Sequence, residues 1–148
     1  LEGRGPGVTR VDFYLLADAS ERTRQLVACK LVGKAFRLGH RVYLLTASDE
    51  QAQALNDLLW TFSAGSFIPH GLQSEHMDPI PPVVVGPQAP PPEFTDVLIS
   101  LAPEVPECFS RFQRVAEIVG GAVDEKESAR ARFRFYRDRG YPLDTHRL

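Results

Sequence analysis

The first third of the chain alternates short apolar runs with longer stretches of helical periodicity. Residues 11–16, VDFYLL, are apolar and β-prone and predict a buried strand. Leu26, Val27, Leu31, Ala35 and Leu38 then recur at helical spacing within residues 21–38. Lys30, Lys34 and Arg37 face away from that stripe, and Gly39 ends the helix. Residues 41–46, RVYLLT, predict a second strand. Ser48 opens SDEQ, a capping box in which Gln51 reaches back, and Ala52, Leu55 and Leu59 line the inner side of a second helix. Strand, helix, strand, helix predicts an α/β domain of three layers, Rossmann-like, with a mainly parallel sheet, helices on both faces and right-handed crossovers.

Beyond residue 58 the pattern changes. In LLWTFSAGSFIPH, residues 58–70, Trp60, Phe62, Phe67 and Ile68 gather around Gly65 and Pro69. Such a group either fills the core at a helix end or forms an exposed aromatic patch for a protein partner. Residues 71–92 are too rich in proline for helix or for strand, except a short strand at 83–85. The run Pro90, Pro91, Pro92 reads as a stiff connector, with polyproline II as one conformation open to it. Residues 95–101 and 115–119 are further buried strands, with a short helix carrying Phe109 and Phe112 between them. The last helix follows Gly120 and Gly121. Asp124 is its expected N-cap, and Gly140 and Pro142 stop it. Lys126, Arg130, Phe133, Arg134 and Arg137 share one face of this helix, beside Ala129 and Tyr136. Two readings fit that face: a solvated surface, or a docking site for an anionic partner with an apolar anchor. The tail, 141–148, either adds an edge strand or frays.

Length, charge and cysteine usage narrow the function classes. A chain of 148 residues suits one domain. Residues 1–7, LEGRGPG, read as an expression scar, leaving 8–148 as the domain. A net charge of −2 argues against a general nucleic-acid binder. Cys29 and Cys108 lie among apolar neighbours and read as inert thiols of a reducing cytoplasm. No run approaches the ~20 apolar residues of a membrane span, and no signal peptide is recognisable. The catalytic loops of doubly wound folds are absent from the sequence: ADASERT follows the first strand where G-x-G-x-x-G would stand. Asp124, Glu125 and Glu127 would repel phosphate from the Gly120-Gly121 turn. His70, Glu75 and His76 form only a weak metal candidate in a loop. Asp12, Asp18 and Asp49 read as solvated or capping carboxylates.

Several stretches, taken together, resemble a known family. They are FYLL at 13–16, the helix ending at Gly39 before RVYLL, Leu59-Trp60 followed by SFIPH at 66–70, DVLISL at 96–101, and ARARFRFYRDRGYPL at 129–143. In this order and spacing, over residues 11–145, they resemble the chi subunit of bacterial DNA polymerase III holoenzyme. The resemblance implies an accessory protein of the clamp loader with no catalysis and no cofactor of its own. It also implies pairing with the psi subunit and binding of the acidic C-terminal tail of single-stranded-DNA-binding protein, a peptide ending in Pro-Phe with a free carboxylate. DNA would be reached only indirectly. By the same resemblance, psi contacts fall on Trp60, Phe67 and Pro69, and tail contacts on Val119, Lys126, Arg130, Phe133 and Arg134. Phe133 stands where the family often has Tyr, and Arg134 where Lys is common; residues 73–92 do not align. Two other classes stay open: a nucleotide-binding enzyme of the doubly wound type, and a direct binder of single-stranded DNA through the Arg face and stacking on Phe133.

Overall fold

The computed structural model describes residues 8–63 and 67–148. Residues 1–7, read as an expression scar, and Ala64, Gly65 and Ser66 lie outside the described residues. The elements run β1 (Arg10–Leu15), α1 (Glu21–Arg37), β2 (Val42–Leu45), α2 (Asp49–Leu58), β3 (His70–Leu72), β4 (Val83–Gly86), β5 (Val97–Ser100), β6 (Arg114–Val119), α3 (Val123–Asp138) and β7 (Leu143–Arg147). A 3-10 turn at Phe109–Arg111 precedes β6. The strands form one sheet in the order β3-β4-β2-β5-β6-β1-β7. Every pairing is parallel, so the expected mainly parallel sheet is parallel throughout.

Both faces of the sheet are covered, which is why its central strands are near-continuous apolar runs. On one face, Val42 and Leu44 pack with Val83, Val85 and Ile99 against α1 and α2, through Ala28, Cys29, Val32, Ala52 and Leu55. On the other, Val11, Phe13, Tyr43 and Val115 meet Phe94, Phe109, Phe112 and the Ala129 and Tyr136 of α3. α1 turns a slightly different stripe inward than its spacing suggested. Cys29 and Val32 are buried while Leu38, at its C-cap, is exposed. The chain reverses there at Gly39, whose φ of 88° carries Leu38 off the end of the helix. Burial pushes the Cys29 thiol up to about 12.

Ser48 caps α2 as expected, its Oγ accepting from Gln51 N at 3.1 Å, while Gln51 Oε1 reaches back one residue beyond the N-cap, accepting from Ala47 N at 2.8 Å. α3 begins differently from expectation. Its N-cap is Ala122, and Asp124 is in the first turn, its carboxylate accepting only from the adjacent Glu125 N. The Gly120-Gly121 turn decides this: a Cβ on Gly121 would lie 2.4 Å from Ala17 O, so the chain turns hard against the loop that follows β1 and enters the helix two residues early. β3 was not foreseen. The proline run ends in a turn, Phe94 N donating to Pro91 O at 3.0 Å, with Pro90 and Pro91 buried. The tail is the edge strand β7.

Asp12 is not at a strand end but inside β1, and it is buried. Its carboxylate accepts from Arg114 Nη2 at 2.6 Å and lies 3.0 Å from His146 Nε2. Asp18 stands two residues before the N-cap of α1, which is Ser20: its carboxylate accepts from Ser20 N and Thr23 Oγ1 at 2.7 and 2.8 Å, bonds that pull its pKa below the usual carboxylate value.

Candidate functional site

β1 and β6 are neighbours whose chains leave toward opposite faces, β1 to α1 and β6 to α3. In doubly wound folds ligands settle in the crevice this creates. Here the crevice is crossed by protein. Arg24, from the first turn of α1, donates to Leu101 O at 2.7 Å and pairs with Glu125 of α3 at 3.1 Å. What remains is a cavity of about 230 Å³ that includes Asp124, Glu125, Ser128 and Arg132 in its walls.

A larger groove, about 580 Å³, opens on the other side of β1, between α3 and β7. Its floor is apolar: Phe13 and Leu15 from β1, Val119 from β6, Ala129 and Phe133 from α3. Phe133 is held edge-on to Phe13, ring centroids 5.4 Å apart. Lys126 and Arg130 stand on the helix side and Arg147 on the strand side. None of these three has an ion-pair partner among the described residues. Of the five residues assigned to tail binding by resemblance, Val119, Lys126, Arg130 and Phe133 come together here. Arg134 is exposed on the same helix but does not line the groove. Arg137 is turned to its neighbour Asp138 at 3.1 Å.

α3 is pinned over this groove by a network that sequence reasoning passed over. Glu117, in the middle of β6, is 0% exposed, and Arg132 is 5% exposed. Arg132 Nε donates to Glu117 Oε1 at 3.1 Å, Tyr136 Oη donates to Glu117 Oε2 at 2.8 Å, and Arg132 Nη1 donates to Pro103 O at 2.8 Å. Burial pushes the Glu117 carboxyl upward, while Arg132 and Tyr136 pull the other way. The signal was present: a lone Glu inside VAEIV needs a buried cation, and Arg132 stands three residues after Ala129 and four before Tyr136, on the inward stripe.

The second candidate surface lies beyond α2. Trp60 is 53% exposed and Phe67 65%, ring centroids 5.7 Å apart, so the cluster is a surface patch and not core filling. Ile68 is buried, and Phe62 and Pro69 are half-buried. His70 of β3 supports the patch. Its ring lies 4.5 Å from that of Trp60, with Nδ1 2.6 Å from Ile68 O and Nε2 2.9 Å from Asn56 O. Among the described residues no group of three His, Cys, Asp or Glu could hold a metal ion, and no helix is long and apolar enough to cross a membrane.

The groove is at the β7 edge of the sheet and the patch at the β3 edge. Seven strands spaced about 4.8 Å apart put nearly 30 Å between these edges, roughly.

Residues 8–144 match the family model described as DNA polymerase III chi subunit, HolC. The DNA polymerase III subunit chi of Pseudomonas aeruginosa is 45% identical over 141 residues, 95% of this chain and 98% of that protein. That of Escherichia coli is 33% identical over 139 residues, 90% of this chain and 94% of the relative. That of Haemophilus influenzae is 28% identical over 139 residues, covering 92% and 95%. With the parallel sheet and the matched span in agreement, the chain belongs to the family of chi subunits of DNA polymerase III.

Proposed function

We propose that the chain is a non-catalytic accessory subunit of the replicative clamp loader, working in the cytoplasm and bridging two proteins. The groove between α3 and β7 takes the acidic C-terminal tail of single-stranded-DNA-binding protein, and the Trp60–Phe67 patch takes the psi subunit. DNA is reached only through these partners. The observation that supports this reading best is the separation of the two surfaces: unpaired cations around an apolar floor at one edge of the sheet, exposed aromatics at the other. Val119 and Phe133 seat the terminal Phe ring of the tail, Arg130 holds its free carboxylate, and Lys126 attracts upstream acidic residues. Arg134, outside the groove, meets an acid further along the tail. Trp60, Phe67 and Pro69 make the psi contact. The crevice where a nucleotide would sit in an enzyme of this class is crossed by Arg24–Glu125 and flanked by Asp124, an arrangement hostile to phosphate.

Calorimetry with a synthetic acidic peptide ending in Pro-Phe tests the groove. Binding is expected at roughly micromolar strength. Arg130→Ala should weaken it by about 1.5–3 kcal/mol, the scale of a hydrogen bond to a charged group. Equal binding of a peptide without its terminal Phe would sink the assignment. Phe67→Ala tests the patch: exposed in the free protein, it should leave stability within about 0.5 kcal/mol while abolishing co-purification with psi. Retention of psi by that variant would remove the patch from the interface.

A further inference from the structure

Side chains of β7 alternate between the two faces of the sheet. Asp144 and His146 lie in register with Asp12 and Tyr14, and the His146 ring stacks on Tyr14 with centroids 4.6 Å apart, so this pair occupies the face away from α3. Thr145 and Arg147 lie in register with Phe13 and Leu15 and therefore face α3, where they wall the groove opposite Lys126 and Arg130. The main chain fixes this placement, since Leu148 N donates to Leu15 O at 2.9 Å. Among the described residues no acidic side chain lines the groove, and Arg147 has no ion-pair partner. Three like charges around an apolar floor repel one another until an anion enters. A carboxylate has two oxygens and lone pairs enough for two guanidinium forks.

We infer that Arg147 is the second guanidinium of the peptide site, holding the terminal carboxylate of an acidic peptide from the β7 wall while Arg130 holds it from α3. This rests on the reading of the groove as a peptide site and adds to it a residue from outside the last helix. Arg134, which does not line the groove, takes no part in holding that carboxylate. The bound chain end is thus read from two elements that meet only because β7 pairs with β1.

The test is calorimetric titration of the acidic Pro-Phe peptide, as free acid and as amide, into the full chain and its Arg147→Ala, Arg147→Lys, Arg130→Ala and Arg134→Ala variants. Arg147→Ala should weaken the free acid roughly tenfold or more. Arg147→Lys should fall between, because an ammonium restores the charge but not the fork. Arg134→Ala should cost less than either Arg→Ala change in the groove. Amidation should erase the difference between wild type and Arg147→Ala. Arg147 is exposed, so thermal melting of its variants should match wild type. Loss of affinity in Arg130→Ala with none in Arg147→Ala overturns this inference and leaves the groove reading standing. An equal effect of Arg147→Ala on both peptides also overturns it. Failure of the wild-type chain to bind either peptide overturns the groove reading and this inference together.

Discussion

At the scale of single residues, stability near the β7 edge hangs on one buried carboxylate. Burial alone would raise the pKa of Asp12, but the hydrogen bonds from His146 and Arg114 outweigh it and hold the group below its ordinary value of 3.8. An acid lowered by folding adds stability that is fully present above its unfolded pKa and is lost as pH falls through the folded one. Asp12→Asn should therefore cost about 1–3 kcal/mol near neutral pH. The gap to wild type should begin to narrow at about pH 4, where the unfolded carboxyl takes up a proton, and close only as pH falls through the lowered folded value. Urea unfolding of both proteins across that range checks it, and a gap that stayed constant with pH would mean that the charge is not what matters. Asp12 also marks a limit of pattern reading. VDFYLL predicts a strand correctly, yet whether its Asp is solvated or paired depends on Arg114 and His146, which sequence places far away.

At the scale of elements, the glycines between β6 and α3 are unequal. A Cβ on Gly121 would meet the backbone oxygen of Ala17, in the loop that follows β1, which cannot move aside as a side chain can. A Cβ on Gly120 would meet the Glu125 carboxylate, also at 2.4 Å, but that side chain can swing aside. Gly121→Ala should lose about 1–3 kcal/mol, in the range of overpacking, and Gly120→Ala clearly less. Denaturant midpoints rank the two, and the reverse order would contradict the placement of the turn. Elements with strong periodicity were legible: five strands, three helices and the Ser48 cap follow from runs, spacing and SDEQ. β3 was not, because His-Gly-Leu has little strand character and takes extended form by pairing only with β4. The cap of α3 was misplaced for a related reason: Asp124 is a good N-cap by type, but the close approach of Gly121 to the loop after β1 sets where the helix starts. Within the groove, the helix residues were legible from i, i+4 spacing. Arg147 was not, since a five-residue edge strand gives no sign of what it lies beside.

At the scale of the whole molecule, strand order departs from chain order at β2 and at β1. β1 lies between β6 and β7, its neighbours Arg114–Val119 and Leu143–Arg147, while β2, β4 and β5 pair among themselves. Long loops must close before such distant pairings return any free energy. In refolding followed by pulsed hydrogen exchange, amides of β2, β4 and β5 should gain protection before those of β1, and simultaneous protection would contradict this. On the ribosome the same topology leaves VDFYLL, an apolar strand with no partner yet made, exposed for most of synthesis and in need of shielding from other chains. Because Leu15 and Arg147 share the groove, an intermediate lacking β7 would carry the aromatic patch but only the α3 wall of the groove, so that on the proposed reading it could join one partner before it can hold the other.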